Sequence, residues 1–262
     1  MASRELALQH LPVLRQNLTD LIELSANAVT LPVRIAPGSH LRFMLASFAV
    51  KQIEHSRSIL KLESSMDTVL IARSMLEGLA QLLWATKRSR RRPLMWRAFA
   101  FVLDWRLLQE QRSQGLTIDP VIERHIRRGI KRYEKWFLTK EANQALATGK
   151  PLPKDPYNKN WYGEREIEIF RDVGGTPLFE GPYASFSEWH HWRIGAFGRL
   201  LSFDESTATF SMTTSDPSQL AETLATGFQC LWQTIQLLNA RCRLGIGNDL
   251  RRLRRRQLTL GQ

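Results

Sequence analysis

Four residues carry the chemistry that the chain offers on first reading: Arg73, Glu77, Ser187 and His191. Arg73, Glu77 and Gln81 recur every four residues in the run VLIARSMLEGLAQLLW, from Val69 to Trp84, which is otherwise almost wholly apolar. Four-residue spacing stacks side chains on one helix face, so the three form a polar stripe on a greasy rod. A helix apolar on nearly all sides belongs inside a domain, and a charge buried with it must be paired or must face a cleft. An arginine fork grips oxyanions bidentately, which makes Arg73 a candidate phosphate or transition-state ligand, with Glu77 as its orienting partner or a base. The structural alternative is a buried ion pair that fixes the register of two helices.

Ser187 and His191 are also four apart and share a helix face. A hydroxyl beside an imidazole can act as nucleophile and base, or the two can bind one phosphate. His190 points about 100° away and cannot share that face. The structural alternative is a serine bonded back to its own helix and a histidine satisfied in the core. No third residue identifies a triad. His55, beside Ser56 and near Gln52, reads as a structural or exposed histidine.

Charge points to partners. Across 262 residues, 37 Lys and Arg stand against 25 Asp and Glu, a net +12. Such a surplus favours acidic partners, nucleic acid before anionic membrane. It is concentrated in KRSRRR (Lys87 to Arg92), with Arg88 and Arg91; in the stretch carrying Arg124, Arg127, Arg128 and Lys131; and in LRRLRRR (Leu250 to Arg256), with Arg251, Arg252 and Arg254. These nine cations are the candidate nucleic-acid contacts. Tyr133 and Trp136 are interleaved with them and could stack bases, although a core stripe is the more ordinary reading of such aromatics.

Helical elements must position these groups. The sequence predicts one or two helices over Arg4 to Val29, a loop from Leu31 to His40, and a helix from about Leu41 to Leu62. The Arg73 helix follows, and helical periodicity resumes from Leu94 to Gln111. Asp119-Pro120 reads as a cap followed by proline at the first helical position, opening a basic helix to about Thr148. Gly149 to Tyr162 holds three prolines and is a candidate functional loop or lid. A short helix from Glu164 to Val173 is stopped by Gly174-Gly175, and a further helical stretch covers Phe179 to Leu201. Phe203 to Met212 suits a strand pair or an ordered loop. Ser215 or Asp216, before Pro217, caps a last long helix to about Ile246.

The fold class is therefore all-α: a single-domain antiparallel helical bundle with a long proline-rich loop (149–162) and a basic C-terminal tail. Its expected divisions are an N-terminal helical extension at 1–35, a core domain at 36–248 and the tail at 249–262. Cys230 and Cys242 sit on one predicted helix roughly 18 Å apart, too far for a disulfide within it, which suits reduced cysteines in a cytoplasmic protein. No metal-ligand spacing, signal peptide or transmembrane run is read, so no metal and no cofactor are expected.

Three segments together resemble a bacterial domain-of-unknown-function family, numbered 5677: ARSMLEGLAQLLW, NKNWYGEREIEIFRDVGG and YASFSEWHHW. The resemblance covers roughly residues 40 to 200. It implies a helical bundle in which the helices bearing Arg73 and His191 approach, and it carries over Arg73, Glu77, Trp161, Tyr162, Gly163, Tyr183, Ser187 and His191. The chain is also loosely similar to HEPN helical domains, many of which are ribonucleases of defence and toxin systems. Their Arg-to-His spacing is read here from Arg34 to His40, in a Pro-Gly loop.

The expectation is a nucleic-acid or nucleotide-interacting protein, RNA first, in the extreme a HEPN-like metal-independent RNase effector. A composite of Arg73 and His191 would then stabilise the attack of a 2′-hydroxyl on phosphorus. The alternative is a non-catalytic interaction or adaptor protein, with a protein partner or a second copy, whose Arg–Glu pair is structural. A small hydrolase using Ser187 and His191 ranks below both.

Overall fold

The computed structural model describes residues 2–30, 35–36, 38–62, 65–191, 193, 201–204, 206–212 and 216–259. The fold is all-α apart from one short hairpin. Three long helices come first: α1 (Ala2–Thr30), α2 (His40–Lys61) and α3 (Ser65–Lys87). Shorter ones follow: α4 (Arg92–Ala98), α5 (Ala100–Ser113), α6 (Pro120–Tyr133), α7 (Lys140–Ala147) and α8 (Glu166–Asp172). α9 (Thr176–Leu178) runs through a π-turn (Phe179–Tyr183) into α10 (Ala184–His190). β1 (Leu201–Asp204) and β2 (Thr209–Met212) pair antiparallel, and α11 (Pro217–Cys242) and α12 (Gly247–Leu258) close the chain.

The chain divides into two compact units, Met1–Trp84 with Glu166–Gln262 and Ala85–Arg165. α1 packs along α2 and α11.

In the discontinuous unit, α11 is the central element. Asp216 accepts from the Ser218 backbone N–H and Pro217 opens the helix. Leu220, Leu224, Phe228, Leu231, Ile235 and Leu238 are buried at three- and four-residue spacing, an apolar stripe that needs partners on more than one side. Gly227 marks where they meet: a Cβ there would lie 3.2 Å from Ile59 of α2, 3.8 Å from Leu18 of α1 and 3.9 Å from Met75 of α3. Gln52 ties α2 to α3 by donating to the Met75 carbonyl at 2.9 Å.

The expected basic tail forms a helix, α12, whose Leu250 and Leu253 are one turn apart and both buried. Trp232 donates to the Leu250 carbonyl at 2.9 Å while Arg254 covers the same indole at 4.4 Å. On α1, Asn17 donates to Gln257 at 2.8 Å and Asp20 pairs with Arg256.

The continuous unit holds α4 to α7. The helix expected from Leu94 to Gln111 is broken at Phe99, which turns buried into the interior between α4 and α5. The helix expected from Asp119 to Thr148 is broken at 134–139: Phe137 and Leu138 are buried, Leu138 bridges to Tyr157, and Thr139 caps α7 by accepting from Ala142. α6 lies so close to α5 that a Cβ at Gly129 would fall 2.3 Å from the Phe101 ring.

The proline-rich loop is stapled rather than free. Arg106 of α5 donates to the Asp155 carboxylate at 2.9 Å and to the carbonyls of Tyr157 and Asn158, each at 3.0 Å. Tyr157 is buried edge-on against Trp105 at 5.1 Å. The second half of 149–162, expected as a functional loop or lid, is thus tied through its backbone to α5 and to the segment after α6.

Candidate functional site

In the discontinuous unit, Arg73 and Glu77 sit one turn apart on α3 and pair at 2.9 Å, their side chains 17% and 23% exposed. The pair is half-buried, and it is not alone. Arg73 Nε donates to the Ser187 hydroxyl at 3.1 Å, and its Nη2 donates to the Tyr183 hydroxyl at 2.8 Å. The Tyr183 oxygen also lies 2.9 Å from Glu77 Oε1 and 2.9 Å from Glu166 Oε2. A phenol has one proton, so two carboxylates share a single O–H donor while Arg73 supplies the opposing charge. Burial pushes the Tyr183 hydroxyl far above the ordinary tyrosine range, with Glu77 and Glu166 adding to it.

The local backbone explains how Tyr183 reaches the cluster. It ends the π-turn, where one extra residue per turn shifts the face that the helix presents. Its ring stacks on Phe179 at 4.9 Å and meets Phe170 of α8 at 5.3 Å. Phe170 also walls a small apolar cavity with Leu76, Leu79, Ala80 and Leu178. The cluster thus borders an apolar recess.

Arg73, Glu77 and Ser187 are brought together; His191 is not joined to them. Ser187 donates back to the Tyr183 carbonyl at 2.7 Å, the helix-bonded state of its structural reading. His191 caps α10, is exposed, and lies 4.8 Å from the His190 ring; among the described residues its imidazole has no hydrogen bond to Ser187 or Arg73. The helix expected to run to Leu201 ends at His190 among the described residues, and 192 and 194–200 lie outside them, as does Arg34 of the HEPN-type spacing. Glu166 is the member that sequence reasoning missed, since nothing in its spacing links it to α3. Among the described residues no three His, Cys, Asp or Glu side chains gather as metal ligands would.

The continuous unit carries the charge. Residues 85–165 hold 19 Lys and Arg against 8 Asp and Glu, a net +11 out of the chain's +12. α6 buries Ile126, Gly129 and Ile130. At about 100° per residue, Arg124, Arg128 and Lys131 fall on the opposite face, and Lys135 extends the row into the following 3₁₀ turn. All four are exposed, and among the described residues none has an acidic partner. Arg127 is different: it pairs with Glu123 at 2.6 Å, and Arg112 pairs with the same carboxylate at 2.5 Å. Arg88 and Arg91 are exposed, and Arg91 lies over the Trp136 ring at 5.9 Å.

Trp161 and Tyr162 are buried edge to face at 5.6 Å, and Gly163 takes a φ of +68° just after them. On α12, Arg252 pairs with Asp249 at 3.1 Å, Arg251 bonds Asn248, and Arg254 is spent on Trp232. These three candidate contacts are therefore partly committed within the fold, two to their own helix and Arg254 to α11.

Compared with known protein families, curated proteins and solved structures, the chain matches none. No described helix is long and apolar enough to cross a membrane.

Proposed function

We propose that this protein binds nucleic acid, with RNA as the first candidate, through the basic face of residues 85–165. One observation carries the reading: nearly all of the net charge lies in that third of the chain, and it includes a row of exposed cations without partners on α6. Clustered cations on one helix face are the electrostatic footprint of backbone binding. A structural role for the Arg73–Glu77 pair accords with this, since two of the arginine's three nitrogens are spent on protein groups.

The test is a salt titration of RNA binding. Wild type should show affinity falling linearly with the logarithm of salt concentration. Replacing Arg124, Arg128 and Lys131 together with glutamine should weaken binding and lower the slope by roughly one per lost contact. A slope unchanged in the triple variant counts against the reading.

A second proposal is an RNA-cleaving effector of a defence or toxin system. What favours it is a pair of exposed imidazoles at the end of α10, one turn beyond the Ser187 that Arg73 holds. Wild type and His191→Ala expressed in bacteria separate the two proposals. Halted growth and cut RNA in wild type alone support cleavage, and intact RNA in both leaves a binding protein.

A further inference from the structure

At the end of the cationic row three aromatic rings and a guanidinium follow one another. Phe101 and Tyr133 lie nearly parallel at 6.2 Å, Tyr133 and Trp136 follow at 5.3 Å, and the Arg91 guanidinium covers the indole at 5.9 Å. Trp136 is half-buried and adjoins Lys135, the last cation of the row, while Arg91 is exposed on a long flexible stem. Two successive stacking contacts of about 3.5 Å need about 7 Å between the outer partners. The separation between Arg91 and Trp136 is about 1 Å short of that, a gap that one rotamer change of an exposed arginine closes.

We propose that residues 85–165 prefer single-stranded nucleic acid, with the strand's phosphates along Arg124, Arg128, Lys131 and Lys135 and one base inserted between Trp136 and Arg91. The inference rests on the nucleic-acid reading above and names which form of the polymer the face selects. A base in a duplex has both faces occupied by its neighbours and cannot enter, whereas an unpaired base is free to stack on an aromatic plane and beneath a guanidinium. The phosphate row by itself does not discriminate, because backbone contacts carry no strand preference of this kind.

The experiment uses the full chain and a fluorescein-labelled unstructured RNA strand, alone and annealed to its complement, followed by anisotropy at several salt concentrations. Wild type should bind the single strand at least about tenfold tighter than the duplex. Trp136→Leu should lose about tenfold on the single strand, the loss of one stack, with its salt slope and its duplex affinity unchanged. Trp136→Phe keeps a ring in the same packing and should recover most of the loss, which separates stacking from a folding defect. Equal affinity for the two forms in wild type, or single-strand binding indifferent to Trp136→Leu, overturns the inference while leaving nucleic-acid binding intact. Absence of salt-sensitive binding to either form overturns both.

Discussion

Arg73 meets Tyr183 twice: its guanidinium lies over the ring at 4.9 Å and its Nη2 donates to the hydroxyl at 2.8 Å. The face contact needs only an aromatic ring, whereas the edge contact needs the oxygen that Glu77 and Glu166 also approach. Tyr183→Phe separates them. It keeps the packing and leaves two carboxylates without their shared donor, which should cost about 1–3 kcal/mol. In a chain of this size that is a fall in Tm of several degrees. A urea midpoint equal to wild type would show that the oxygen holds nothing together.

Arg106 is predicted to govern the second half of the 149–162 loop. Its guanidinium fixes one carboxylate and two backbone carbonyls across about fifty residues of sequence. Arg106→Gln should free those carbonyls and raise local hydrogen exchange and protease cleavage around Asp155 to Asn158, with little change in helix content. A cleavage pattern identical to wild type would assign the loop's order to Tyr157 alone.

Gly129→Ala should destabilise by about 1–3 kcal/mol, since the new methyl has no room beside the Phe101 ring. The cost is specific and should be reversible. Phe101→Leu in the same chain should recover part of the loss, and a double-mutant cycle of thermal midpoints reads the coupling. Strictly additive effects would contradict the contact.

Two kinds of group set the pH limits of stability. Burial, with Lys51 assisting, holds the His55 imidazole below its ordinary value of 6.5, so the unfolded chain takes up that proton first. Its contribution is complete above pH 6.5 and declines as pH falls below it; His55→Gln should flatten that acid limb in pH-dependent denaturation. Burial pushes the Tyr157 hydroxyl up to about 12 from 10.0, so here the folded state keeps its proton longer. That contribution is complete below pH 10 and is lost as pH rises to about 12, and Tyr157→Phe should remove the slope. Acid or alkaline limbs identical in wild type and variant would reject the corresponding assignment.

The sequence made some of this legible because local chemistry decided it. Asp119-Pro120 and Asp216-Pro217 are caps in the structure as their residue types require, each aspartate accepting from a first-turn N–H. Arg73 and Glu77 pair because four-residue spacing stacks them on one helix face. The breaks at Phe99 and at 134–139 were hidden, since apolar periodicity runs through both without glycine or proline. Glu166 joins Arg73 and Tyr183 only through tertiary packing, which no spacing records. In LRRLRRR the leucines at 250 and 253 carried a helical signal that the arginines between them outweighed. Ser187 and His191 were expected on one helix face, whereas among the described residues α10 ends at His190 and leaves His191 as its exposed C-cap.

The discontinuous unit has a consequence for synthesis. Its stripe of partners for α1, α2 and α3 resides on α11, which leaves the ribosome only after the whole of residues 85–165. Those residues are contiguous and joined mainly by near neighbours in sequence, so they can fold while α11 is still being made. Until then the apolar sides that the first three helices turn toward α11 lack that cover. The nascent protein therefore acquires its cationic unit first, while its early helices wait for their central partner and remain most open to aggregation or to a chaperone.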